Sequence, residues 1–101
     1  ISDIIMTVRQ ESLYTEIYLV SVFPVSERLE HASKVKIRNN ATVGELNQQL
    51  AVLPGATYVD LFDYLTDAQG QLNANYTTDG LHLSPQAYQV IAEPIIKEIL
   101  E

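Results

Sequence analysis

The chain has 101 residues, 47% of them apolar and 19% charged, a balance that belongs to a globular domain and excludes a disordered tail. Thirteen acidic against six basic side chains leave a net charge of −7, which repels a phosphate backbone or an anionic membrane and sets nucleic acid aside as a partner. With no cysteine, a disulfide framework, a thiolate nucleophile and a cysteine-based zinc site are all excluded.

In chain order, Ile1, Ile4, Ile5, Val8 and Leu13 recur at spacings near three and four, which predicts the end of a surface helix. The chain enters this pattern at Ile1, without a basic stretch leading to an apolar one, and further polypeptide is expected upstream. Residues 16–23, EIYLVSVF, form a β-branched and aromatic run stopped by Pro24, as expected of a parallel strand buried on both faces. The polar stretch 25–33 predicts a loop. Ile37, Ala41, Val43, Leu46, Leu50 and Leu53 then mark one face of a helix over 35–53, ended by Pro54-Gly55. Its start is read near Val35 rather than at the capping-box pair Thr42 and Glu45. Residues 57–61, TYVDL, predict a second strand, 67–70 a turn and 73–84 a loop. Ser84 and Pro85 form an N-cap and first-turn pair for a last helix with Tyr88, Ile91, Ile95 and Ile99 on its apolar face, kinked at Pro94. No apolar run approaches the roughly 20 residues that cross a bilayer, so no transmembrane segment is predicted.

This alternation of helix and strand is an α/β pattern around a parallel sheet. Two buried parallel strands leave ladder groups and apolar faces uncovered, so more strands must come from elsewhere. The chain therefore reads as the C-terminal half of an open parallel-sheet domain.

Two histidines are present. His31 falls in the polar loop, with Glu30, Lys34, Lys36 and Arg38 around it, and reads as part of a solvated face. His82 follows Asp79 by three residues, with Gly80 between them to permit a sharp turn. A carboxylate at that spacing can hold imidazole Nδ1–H and leave Nε2 free to take a proton. The structural alternative is an Asx-turn with a histidine packed at the start of the helix.

Val59-Asp60-Leu61, then Asp79-Gly80-Leu81-His82-Leu83-Ser84 with Ala87-Tyr88, resembles the C-terminal block of the SGNH hydrolases, the GDSL esterase and lipase family. IYLVSVFP resembles that family's strand ending in proline, and IRNNATVGELNQQL its helix with an N-x-x-[VI]-x-x-[LY]-N pattern. The resemblance implies a flavodoxin-like three-layer α/β/α domain of which residues 1–101 are the C-terminal part, and an acyl-transfer chemistry. His82 is then the general base and Asp79 the acid that orients it, with no cofactor. The implied partners are a small ester (an acetyl ester, a glycan O-acetyl group or a lysolipid) and the nucleophile-bearing N-terminal half of the domain. The family's G-D-S block and its G-x-N-D block are absent from these residues, and no serine here stands in either setting or in G-x-S-x-G. Residues 1–101 alone are expected to be inactive. The alternative is a noncatalytic interaction module that keeps the fold without a nucleophile. A self-contained flavodoxin-like binding domain is disfavoured because no Gly-rich phosphate loop follows either strand.

Other features carry less. Asp60, Asp63 and Asp67 lack the loop pattern of a calcium site, and Asp60 is expected to bond nearby amides. Asn40-Ala-Thr and Asn75-Tyr-Thr match the glycosylation tripeptide. Tyr14, Tyr18, Tyr58, Tyr64 and Tyr88 read as core or interface aromatics, with Tyr88 beneath the His82 loop.

Overall fold

A computed structural model describes residues 1–12 and 14–100, so Leu13, expected on the first helical stripe, lies outside the described residues. The amphipathic opening forms α1, Ser2–Glu11. It docks through Ile5, which is buried against Gly55, while Arg9 Nε donates to the Gly55 carbonyl at 2.9 Å. Gly55 has φ +87°, and a Cβ there would stand 2.9 Å from Ile5 Cγ2, so this position requires glycine twice over.

The two apolar runs form a parallel pair, β1 (Tyr18–Val20) and β2 (Thr57–Val59), in the register Tyr18 with Thr57, Leu19 with Tyr58 and Val20 with Val59. Each is shorter than the run that predicts it, and β1 is half-buried rather than covered on both faces. Just past Val20 one more backbone bond, Ser21 N–H to the Val59 carbonyl at 3.0 Å, continues the pair, and a side chain then takes over. Ser21 Oγ, buried, accepts from Leu61 N–H at 2.9 Å.

The predicted helix over 35–53 is two helices. A turn at Leu29–His31 leads into α2, Ala32–Val35, which stops at Lys36 with φ +56°. The longer α3 spans Asn40–Ala51. Its cap is Asn39, whose side chain accepts from Thr42 N–H at 2.8 Å, so neither the early start nor the Thr42 box is what begins it. From α3 two asparagines, seven positions apart on one face, each grip a single residue of the segment after β1. Asn47 accepts from Val22 N–H at 2.8 Å and donates to its carbonyl at 3.0 Å; Asn40 does the same to Val25, both at 2.8 Å. A primary amide offers the donor and acceptor of a neighbouring strand, and these two satisfy the N–H and carbonyl of Val22 and Val25. Asn40 of the first glycosylation tripeptide is thereby engaged with Val25.

The core gathers Val59, Leu61, Leu65, Leu72, Ala87 and Ile91, with Leu61, Leu65, Leu72 and Ala87 fully buried. The last helix, α4 (Pro85–Leu100), runs across Pro94 and contributes Ala87, Ile91 and Ile95 at four-residue spacing. Its first turn differs from the expected side-chain cap: the Ser84 carbonyl accepts from Ala87 N–H, and Ser84 Oγ is buried without a partner among the described residues. The tyrosines also sit further out than predicted. Tyr14, Tyr64 and Tyr88 are exposed, so Tyr88 does not pack beneath the His82 loop. No described helix is long and apolar enough to cross a membrane.

Candidate active site

The loop between β2 and α4 is held shut by its own short polar side chains. Thr77, buried, donates through Oγ1 to the His82 carbonyl at 2.7 Å and accepts from Gly80 N–H at 2.9 Å. Asp79 Oδ1 accepts from the backbone N–H groups of Leu81 and His82, both at 2.8 Å. Gly80, at φ +84°, makes the reversal between them. Leu83 anchors the far side of the loop on the core, and Ser84 N–H donates to the Tyr76 carbonyl at 2.8 Å.

This framework brings Asp79 and His82 together. His82 Nδ1 lies 2.7 Å from Asp79 Oδ2, and the other ring nitrogen, Nε2, makes no hydrogen bond among the described residues. The His82 side chain is 77% exposed and that of Asp79 26%. The ring N–H of His82, with the backbone N–H groups of His82 and Leu81, holds the Asp79 carboxyl well below the usual carboxylate range. Asp79 thus stays ionised and His82 is fixed with Nδ1 inward. A ring in that state can accept a proton at Nε2 from a group arriving from solvent.

The loop lies beyond the carboxyl ends of the strands, where sites form in open α/β sheets. Ser26, six residues past Val20, donates its backbone N–H to the Gly80 carbonyl at 2.8 Å. Cavities lie elsewhere. One of about 590 Å³ is lined by Tyr58, Tyr64, Pro94 and Lys97, and one of about 300 Å³ by Ile5, Met6, Arg9 and Pro54; His82 borders neither.

His31 is not part of a solvated face. Its Nδ1 lies 2.7 Å from Ser26 Oγ, and its ring packs on Gly80. The three spaced carboxylates go separate ways: Asp60 accepts from Phe62 N–H at 3.0 Å, Asp67 pairs with Arg28 and accepts from Gln69 and Gln71 N–H, and Asp63 joins neither. The Arg28 guanidinium and those amides hold the Asp67 carboxyl below its ordinary value. Sequence reading missed Thr77, Ser26 and His31. A hydroxyl two residues before Asp79 is a visible signal for Thr77, whereas Ser26 and His31 meet the loop only through the fold.

The sequence profile of the GDSL-like lipase/acylhydrolase family matches residues 4–95, a span that includes Asp79 and His82. The chain belongs to this family. Among solved structures, a Streptococcus pneumonia protein provisionally described as a platelet activating factor superposes with a TM-score of 0.91 and 40% identity, covering 99% of this chain and 48% of that one. A Bacteroides fragilis protein provisionally described as an acylhydrolase superposes with a TM-score of 0.70 at 20% identity, covering 97% and 48%, which speaks for the shared α/β fold alone. An N-acylneuraminate cytidylyltransferase of Escherichia coli O18:K1:H7 is 33% identical over 89 residues, 87% of this chain but 20% of its own length. The chain therefore spans about half of each of these two solved structures and a fifth of the cytidylyltransferase.

Proposed function

We propose that this chain carries the general base and the orienting acid of a serine ester hydrolase, His82 and Asp79 respectively. The observation that carries the reading is the 2.7 Å bond from His82 Nδ1 to Asp79 Oδ2 on a ring otherwise open to solvent. Membership of the GDSL-like lipase/acylhydrolase family supplies the reaction class.

In this mechanism Nε2 takes the proton of a serine hydroxyl as the serine oxygen bonds to the acyl carbon. The bond from that carbon to the alcohol oxygen breaks, and Nε2 returns the proton to the departing alcohol. Water then attacks the acyl-serine; Nε2 takes its proton and passes it to the released serine oxygen. Asp79 stays ionised throughout and stabilises the imidazolium that forms in each half.

The serine and the oxyanion donors belong to a nucleophile-bearing N-terminal half of the same domain, of which residues 1–101 are the C-terminal part. Ser21 and Ser26 are buried with their hydroxyls engaged, which excludes them as nucleophiles. Support for a second half comes from β1, which is paired on one side only among the described strands, and from Ile96 and Ile99, which α4 leaves exposed. The substrate is a small ester: an acetyl ester, a glycan O-acetyl group or a lysolipid. The charge of −7 favours a small soluble or glycan ester over anionic lipid.

A fluorophosphonate probe tests this. It is expected to label one serine of the complete domain and none in residues 1–101, which are expected to show no ester turnover. Turnover by residues 1–101 alone would overturn the two-half assignment, and a complete protein without a labelled serine would leave a noncatalytic module.

A further inference from the structure

Ser26 has no exposed surface, although it lies outside the hydrophobic cluster. Its backbone N–H donates to the Gly80 carbonyl at 2.8 Å, and its Oγ lies 2.7 Å from His31 Nδ1 and accepts from Arg28 Nη1 at 3.3 Å. The His31 side chain in turn fills the space over Gly80. A Cβ on residue 80 would stand 2.5 Å from both Cβ and Cγ of His31 and 2.8 Å from its Nδ1. The rest of this segment is fastened on the opposite side: Arg28 pairs with Asp67, and Glu27 N–H donates to Gln71 Oε1 at 2.7 Å. This segment thus meets the peptide between Asp79 and His82 twice, through the Ser26 N–H bond to the Gly80 carbonyl and the His31 side chain over the Gly80 α-carbon.

We propose that His31 and Ser26 are positioning residues for the Asp79–His82 pair, acting through the Gly80 peptide; the inference rests on the catalytic reading above. Neither touches substrate. The His82 ring is aimed by its bond to Asp79 and by the loop backbone that carries both residues, and a shift of that backbone moves Nε2 relative to the arriving hydroxyl.

In the complete domain, His31→Ala is expected to lower kcat by about 10- to 100-fold while KM moves less than about twofold, because misplacement on the order of 1 Å costs that much in a reacting group. His31→Asn keeps Cβ, Cγ and a polar δ branch at the positions that meet Gly80 and Ser26, and is expected to recover most of kcat. His31→Leu keeps the branch without the polar atom and is expected to stay low. The ring nitrogen chemical shifts of His82 provide a second readout: they are expected to move in His31→Ala and return in His31→Asn. Unchanged kcat in His31→Ala, or equal rates in His31→Asn and His31→Leu, overturns the inference; if His31→Ala does not fold, the Asn and Leu pair decides. His82→Ala assayed alongside separates the two claims. If it retains activity, the catalytic reading falls; if it loses activity while the His31 variants do not, only the positioning role falls.

Discussion

Asn47 grips the backbone of Val22 from both sides, accepting its N–H at 2.8 Å and donating to its carbonyl at 3.0 Å, and Asn40 holds Val25 in the same way. These two residues fix the segment that leaves β1, and that segment carries Ser26 to the Gly80 carbonyl. The line from helix to candidate site is therefore continuous: α3, the post-strand segment, the His82 loop.

Asn47→Ala leaves a donor and an acceptor of Val22 without a protein partner. The expected cost is about 1–3 kcal/mol in urea unfolding, since water reaches Val22 in part. Asn47→Asp keeps the acceptor but sets a buried carboxylate oxygen against the Val22 carbonyl, and is expected to cost at least as much as Ala.

Gly80→Ala meets two penalties. A left-handed backbone costs a side-chain-bearing residue about 1–2 kcal/mol, and crowding against His31 adds about 1–3 kcal/mol. A loss of at least about 2 kcal/mol in unfolding free energy is expected, with hydrolysis in the complete domain falling further than stability alone accounts for.

Asp79→Asn keeps the shape of the pair and removes its charge. By analogy with orienting acids in triads, kcat in the complete domain is expected to fall on the order of 10³- to 10⁴-fold with KM little changed. The same variant tests the pH dependence of stability. The Asp79 carboxyl is held below its ordinary value, so its contribution is fully present above the unfolded pKa of about 3.9 and is lost as pH falls through the folded value. The stability advantage of the native chain over Asp79→Asn is thus expected at neutral pH and to shrink below about pH 4, as followed by urea unfolding across that range.

Much of this was legible in the sequence because it is local. Asp79 and His82 lie three residues apart around a glycine, so the turn that joins them is written in consecutive residues. The existence of β1 and β2 follows from short β-branched runs with no other use. What was not legible depends on residues far apart. Apolar spacing carries straight through Lys36, and only the backbone at φ +56° and the Asn39 cap show that the helix breaks there. The strand run continues to Phe23, yet the backbone pairing goes no further than the Ser21 N–H bond to the Val59 carbonyl, and asparagines 40 and 47 hold Val25 and Val22 beyond it. His31 looked solvated because its partner, Gly80, is 49 positions away and offers no side chain to suggest a contact.

The most direct test of the central claim is the rate of short acyl ester hydrolysis by the complete domain with His82→Ala. Loss of about 10³-fold or more in kcat, with the variant folded and substrate affinity retained, is the predicted result. Retention of most of the native rate would contradict the assignment of His82 as the base.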